Sequence, residues 1–176
     1  QVTPPNRGYN IPVDELWSHR RPLTISGIQA EGLRPEDLLI HVCVHATYHH
    51  WFQNGVRSLC DIAELLRHYG NSFDWKVAVA RATAWKCQRG VFLALSAAQQ
   101  LLGADIPLHV LTKLQPVGTH LFEADELQAF LFPEQRESIV SPDSYFWNFL
   151  RNPSLIAGAH AFKERLFLSP KEMATK

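Results

Sequence analysis

Apolar residues recur at helical spacing over most of the chain from residue 35 onward. Pro35, Glu36 and Asp37 put a proline and two acids in a first helical turn, and the residues that follow predict a helix over 35–52. The same spacing predicts further helices over residues 56–69, 71–103, 107–114, 123–132, 142–150 and 153–168. The stretch 71–103 is far longer than a mean helix of about 11–12 residues, so we divide it near Lys86–Gly90.

A different pattern precedes these helices. Short extended runs over residues 23–25 and 28–30 lie on either side of Ser26 and Gly27, which is typical of a β-hairpin. We therefore expect a mainly α fold, a multi-helix bundle with a short N-terminal β-hairpin. The domain boundaries that follow are an extended and hairpin segment over residues 1–34 and a helical domain over residues 35–176.

Charge and composition exclude several classes of protein. Lysine plus arginine and aspartate plus glutamate each total 17, so the chain carries no strong signal for nucleic-acid binding. No apolar run reaches the roughly 18 residues that a membrane span needs. The three cysteines are far apart and odd in number, which favours reduced, buried thiols. Together these features predict a cytoplasmic protein without a membrane partner.

Four histidines lie in the ten residues HVCVHATYHH, from 41 to 50. One ion cannot easily take both His41 and His49, because eight residues rise roughly 12 Å along a helix. A metal would need the pair His45 and His49, or His41 and His45, with a carboxylate from elsewhere. The helical wheel instead places His45 and His49 beside the core, where neutral imidazoles are satisfied by hydrogen bonds. We favour the second interpretation and assign no metal.

Asp61 is the candidate partner of these histidines. It follows Arg57 by four residues in a helical stretch, so it either forms a surface ion pair with Arg57 or turns toward the histidine helix. We group His45, His49, Arg57 and Asp61 as a polar cluster that binds substrate or supports the fold.

Several short motifs resemble those of one known family. The run PEDLL, the histidines four apart, CDIAELL, the helix start DW, and LLG followed by a proline are similar to the uncharacterised nucleotidyltransferase family. The resemblance covers about residues 13–115 and returns at RLFLSPKEM near the end. Members of this family carry a polymerase-β-like nucleotidyltransferase core followed by a helical region.

The resemblance implies a set of metal-binding residues. The family core has a Gly-Ser turn, an Asp-x-Asp pair that holds two magnesium ions, and a third carboxylate on a later strand. This sequence lacks the first two, and only Asp14, with Glu15 as the neighbouring alternative, can match the third. Without the resemblance, Asp14 and Glu15 would be a solvated acidic pair at a strand end.

The resemblance therefore implies the helical part of an enzyme. Nucleotidyl transfer needs metal ions on both the attacking and the leaving oxygen, and Mg²⁺ takes oxygen ligands. We expect this chain to be inert alone, Mg²⁺ to act only in a full-length enzyme, and the helices to shape a pocket for a nucleotide or an unknown acceptor. Because the sequence begins with Gln1, we expect further residues upstream. The alternatives are a non-catalytic helical module that binds a ligand or a protein, and a metal-dependent hydrolase built on the histidine pair. Oligomeric state is left open.

Overall fold

The structure is a computed structural model that describes residues 9–50, 52, 55–116 and 131. The chain forms α1 (Val13–Ser18), β1 (Arg21–Ile25), β2 (Ile28–Gly32), α2 (Pro35–Val44), a π-helical turn (His45–His49), α3 (Arg57–Tyr69), a 3₁₀ turn (Gly70–Ser72), α4 (Trp75–Ala84), α5 (Gln88–Leu102) and α6 (Leu108–Leu114). This confirms a mainly α fold with an N-terminal hairpin. The helices predicted over 142–150 and 153–168 lie outside the described residues, as does 123–132 apart from the helical residue Leu131.

The predicted hairpin is confirmed in position and in its turn. β1 and β2 pair antiparallel, with Ile25 opposite Ile28. Ser26 and Gly27 have φ angles of 50° and 81°, so both turn residues are left-handed. Such a turn matches the right-handed twist of the two strands, which explains why two residues suffice to reverse the chain.

Helix α5 forms the centre of the core. Every residue from Gly90 to Ala98 is buried, and α5 contacts α2, α3, α4, α6 and the π turn. A helix that is apolar on all sides is one that other helices surround. The predicted division near residues 86–90 is confirmed, because α4 ends at Ala84 and α5 begins at Gln88.

The helix predicted over residues 35–52 differs from the structure in its second half. Helix α2 ends at Val44, and a π turn follows in which the His50 N–H donates to the His45 carbonyl at 3.0 Å. The Thr47 hydroxyl donates to the Cys43 carbonyl at 2.7 Å inside this turn. A Cβ atom added at Gly90 would collide with the Tyr48 ring and would lie 2.5 Å from Thr47 Oγ1. Gly90 therefore lets α5 lie directly against the π turn.

Two of the three cysteines lie in the core. Cys43 and Cys87 are buried, as expected, and burial raises the pKa of both thiols, that of Cys87 to about 12. Cys60, on α3, is exposed and differs from the prediction. No described helix combines the length and the apolar character that a membrane crossing requires.

Candidate functional site: a buried charge cluster beside a basic cleft

Asp14 and Glu15 lie on a helix and not at a strand end. Both are in the first turn of α1, where the unpaired amides of a helix favour acidic side chains. Asp14 is exposed, whereas Glu15 is partly buried. The expected strand position is therefore wrong, while the proposed role of either carboxylate stays a prediction.

Two side chains hold Glu15, one on α4 and one on the residue that follows α4. Arg81 Nη1 donates to Glu15 Oε1 at 3.3 Å, and Trp85 Nε1 donates to Glu15 Oε2 at 3.1 Å. The N–H of Asn10 also donates to the Trp85 carbonyl at 2.9 Å. These bonds fasten the start of the described chain to the end of α4, so Glu15 has a structural role. Asp14 is the freer of the two carboxylates.

Arg81 also approaches the buried carboxylate of Asp37. Its Nη1 atom lies 3.0 Å from Asp37 Oδ1, and the Asp37 side chain is 0% exposed. The contact has the distance of an ion pair but not the alignment of a hydrogen bond, and both Asp37 oxygens lack hydrogen-bond partners within the described part of the chain. Asp37 is thus a buried charge that one neighbouring guanidinium stabilises mainly by electrostatics.

Burial dominates the titration of Asp37. Desolvation raises the pKa of its carboxyl above the ordinary value of 3.8, and the nearby Glu36 adds to this. The positive charges of Arg81, His19 and Arg34 act in the opposite direction, with Arg81 the strongest of the three. Because desolvation is the largest cause, the pKa remains raised.

His19 connects this cluster to the surface. Its Nδ1 lies 2.8 Å from the Glu15 carbonyl oxygen and 3.1 Å from Arg81 Nη2. One ring nitrogen cannot donate to the carbonyl and accept from the guanidinium at once. If Nδ1 donates, the neutral ring has its acceptor at Nε2, and if Nδ1 accepts, Nε2 carries the proton.

A basic cleft opens beside His19. It is an open depression of about 470 Å³ where the end of α1, the start of β1, the start of α2 and the end of α3 meet. The cleft is lined by His19, Arg20, Arg21, Arg34, Pro35, Glu36, Tyr69 and Ser72. Its lining therefore contains three guanidinium groups and one carboxylate.

The acidic side of the cleft is fixed by Glu36. This residue is 5% exposed, and its Oε1 accepts from the Asp74 N–H at 3.1 Å. Its Oε2 lies 3.9 Å from Arg34 Nε. Glu36 therefore joins the start of α2 to the start of α4 and leaves much of the Arg34 guanidinium open to solvent.

The predicted histidine cluster faces solvent. His45 and His49 are exposed, so their expected position beside the core is wrong. The π turn widens the helix here and packs against α5, with Thr47 and Tyr48 beside Gly90. Ala46, Thr47 and Tyr48 form the buried side of the turn, so the histidines face outward. A hydrogen bond of 2.7 Å joins His49 Nε2 to the Tyr9 hydroxyl. The pKa of the exposed His45 is lowered by partial desolvation of its ring first, and then by the neighbouring His50 and His41.

Arg57 and Asp61 do not join the histidines. Both are exposed on α3, and within the described residues no ion pair links them to each other or to a histidine. The hypothesis of a buried Asp61 turned toward the histidine helix is therefore wrong. Helical periodicity alone did not distinguish the two alternatives for Asp61, and the structure places its side chain in solvent.

Residues 9–50, 52, 55–116 and 131 contain no group of three or more His, Cys, Asp or Glu side chains arranged to hold a metal ion. Glu15 is already bound to Arg81 and Trp85, and Asp14 is exposed on α1. The described side chains therefore do not by themselves fit the two magnesium ions that nucleotidyl transfer uses.

Sequence reasoning missed Asp37, Arg81 and the cleft. Asp37 shares a helical face with the buried Ile40 and Val44, which is a local signal of burial. Arg81 is a single arginine among alanines and valines in VAVARATAW, which is another such signal. No short stretch of the sequence predicts the cleft, because its lining residues come from three separate segments.

The comparisons with known proteins add one result to this geometry. The model of the uncharacterised nucleotidyltransferase family matches residues 1–103. The chain belongs to this uncharacterised nucleotidyltransferase family. The match includes Glu15, Asp37 and Arg81 and every residue that lines the cleft. No curated protein and no solved structure matches the chain significantly.

Proposed function

We propose that this chain is the helical part of a nucleotidyltransferase that transfers a nucleotidyl group from a nucleoside triphosphate to an unidentified acceptor. The family match over residues 1–103 supports the reaction class. The structural support for the proposal is the exposed apolar tip of the N-terminal hairpin.

One face of the hairpin is apolar, partly buried at Leu23 and Ala30 and open at its tip. Leu23 lies opposite Ala30 and Ile25 opposite Ile28, so these four side chains share one side of the two strands. Ile25 is 61% exposed and Ile28 is 70% exposed. Two strands alone are marginal in water and gain stability by joining more strands or an apolar layer. The hairpin is therefore suited to join the sheet of a catalytic core.

That core would supply the metal-binding chemistry. The 176 residues contain neither a Gly-Ser pair nor an Asp-x-Asp pair, and two-metal transfer needs several carboxylate oxygens around Mg²⁺. Asp14, exposed on α1 just before the hairpin, would be the added carboxylate. In this proposal the chain alone does not transfer nucleotides, and Mg²⁺ is needed only by the longer enzyme.

The test compares two proteins made from the same gene. One is this chain, and the other is the product of the longest reading frame that contains it. Incorporation of radiolabelled nucleotide in the presence of Mg²⁺ should occur only with the longer product. In that product, Asp14→Asn should lower transfer by about a hundredfold or more, since it removes a metal ligand.

The control is Asp105→Asn, which changes an exposed carboxylate after α5 and should leave transfer unchanged. A reading frame that encodes no Asp-x-Asp pair, or a longer product that consumes no nucleotide, would contradict the proposal. Either result would favour the alternative of a non-catalytic helical module that binds a ligand or a protein.

A further inference from the structure

We propose that the basic cleft binds the phosphate chain of a small phosphorylated ligand, a di- or triphosphate, through Arg20, Arg21 and Arg34. The inference rests on the proposed function in one respect, since that function makes the ligand either a nucleotide or a phosphorylated acceptor. Its physical basis is independent of transfer, because it concerns only the charge and geometry of the cleft.

The cleft concentrates positive charge in a chain that is neutral overall. The whole sequence has 17 basic and 17 acidic residues, whereas the cleft lining has three arginines and only Glu36 as a carboxylate. Guanidinium groups present several N–H donors in a plane and match phosphate oxygens in pairs. The lining therefore has the chemistry of an anion site.

The carboxylates nearby neutralise this charge only in part. Arg20 Nε lies 3.5 Å from Glu31 Oε2, and the two side chains are 49% and 51% exposed. Ion pairs this open to water are weak and easily exchanged. Arg34 is 41% exposed and reaches Glu36 only at 3.9 Å. Arg20 Nη1 also donates to the Trp17 carbonyl at 2.7 Å, an exposed contact. Arg34 therefore has donors available to an anion, and Arg20 can exchange its exposed contacts for one.

Arg21 is held in place before any ligand arrives. Its Nη2 donates to the Tyr69 hydroxyl, and its guanidinium carbon lies 5.0 Å from the centre of the Tyr69 ring. Its Nε is buried without a hydrogen-bond partner among the described residues, so the group retains donor capacity. A guanidinium fixed by an aromatic ring loses less freedom on binding, which favours affinity.

The size and lining of the cleft indicate a small polar ligand. Its volume of about 470 Å³ lies within the range of small-molecule sites, roughly 300–1,000 Å³. The arginines come from two places, the start of β1 and the residue before α2. A ligand with several phosphate groups would reach both places, whereas a single phosphate would contact fewer donors.

Isothermal titration of this chain with tripolyphosphate, ATP and inorganic phosphate, at low salt and without Mg²⁺, tests the inference. Tripolyphosphate and ATP should each bind at one site, more tightly than inorganic phosphate, and added NaCl should weaken both. Equal affinity for tripolyphosphate and ATP would show that the cleft contacts the phosphate chain alone. A preference for ATP would show that the nucleoside is contacted as well, and both results support the site.

Three variants locate the binding. Arg21→Ala and Arg34→Ala should each weaken tripolyphosphate binding about tenfold, because each removes charge-assisted hydrogen bonds. Arg34→Glu should weaken it more, and because this side chain is well exposed the variant should fold even if Arg21→Ala does not. The matched control is Arg67→Ala, an exposed arginine on α3 outside the cleft lining, which should bind as the original chain does.

Two results would overturn the inference. One is the absence of tripolyphosphate binding to the folded chain, and the other is an affinity that Arg34→Glu leaves unchanged. Failure here is distinct from failure of the proposed function. A chain that binds tripolyphosphate in this cleft, with a longer product that transfers nothing, would contradict only the enzymatic proposal.

Discussion

Arg81 joins separate segments of the chain through one guanidinium group. It reaches Asp37 on α2, Glu15 on α1 and His19 just after α1, and its guanidinium carbon lies 5.2 Å from the centre of the Trp85 ring. Its side chain is only 10% exposed. The position of α1 against the helices therefore depends on this residue.

Removing this cation should destabilise the fold. We expect Arg81→Met to lower the free energy of unfolding by about 3–5 kcal/mol, because it leaves the Asp37 carboxylate buried without its counter-charge. Urea denaturation followed by circular dichroism measures the change. The matched control is Arg67→Met on the exposed surface of α3, which should change stability by less than about 0.5 kcal/mol.

The double variant Arg81→Met with Asp37→Asn should recover part of this loss, since the uncompensated charge is then removed. An Arg81→Met variant as stable as the Arg67→Met control would show that the pair does not stabilise the fold.

Asp37 should also give the stability a pH dependence of defined sign. Because burial raises its pKa above 3.8, the folded state binds the proton more tightly than the unfolded state. The stabilisation from this proton is fully present below pH 3.8 and is lost as the pH rises through the raised pKa. Urea denaturation from pH 4 upward should show the original chain losing stability relative to Asp37→Asn. A difference that stays constant with pH would contradict the raised pKa.

Residue-scale prediction from sequence succeeded only where the signal was local. Glu36 and Asp37 were expected at a helix start and lie there, but their burial depends on α4, which is distant in sequence. For Asp61 the helical spacing left two alternatives open, and the structure places its side chain in solvent, away from the histidines. The roles of Asp14, Glu15, His45, His49 and Arg57 in binding or catalysis stay predictions.

At the scale of elements, the hairpin and the π turn show where periodicity is sufficient and where it fails. The hairpin follows from two residues with left-handed backbone between extended runs, a signal contained in the turn itself. The π turn has no comparable signal, because none of its residues His45–His49 is specific to such a turn, and its extra residue changes which side chains face the core. Its contact with Gly90 of α5 is a property of the packed structure.

This contact predicts a strong effect of one methyl group. We expect Gly90→Ala to lower the free energy of unfolding by about 1–3 kcal/mol, because the new Cβ collides with the Tyr48 ring and overpacks the core. Thermal or urea denaturation measures this change. Gln100→Ala, at an exposed position of the same helix, serves as the control and should have little effect. A Gly90→Ala chain of unchanged or higher stability would mean that α5 and the π turn separate easily.

At the scale of the whole molecule, the helices and the hairpin differ in how they are held. The helices share a continuous core around α5, whereas the hairpin's principal contacts are between its own two strands. The cleft lies where these two parts meet, so Arg20 and Arg21 come from the hairpin side, and Arg34 and Glu36 come from the start of α2. A ligand in the cleft would therefore contact both parts at once.

The loose attachment of the hairpin predicts a small effect of polar substitution at its tip. We expect the double variant Ile25→Thr with Ile28→Thr to change the free energy of unfolding of this chain by less than about 0.5 kcal/mol, since both side chains are mostly exposed. Binding of a dye that recognises apolar surface should decrease at the same time. A loss above about 1.5 kcal/mol in urea denaturation would show that this face is already packed against the chain.

The exposure of Cys60 has a practical consequence. Cys43 and Cys87 are buried with raised thiol pKa values, so a maleimide reagent applied to the folded chain should modify α3 at Cys60 first. Helix α3 ends at Tyr69, whose ring contacts Arg21 in the cleft. A fluorophore attached at Cys60 would thus sit on the same helix as the cleft wall and offer an optical reporter, without any added mutation, for events at the junction of hairpin and helices.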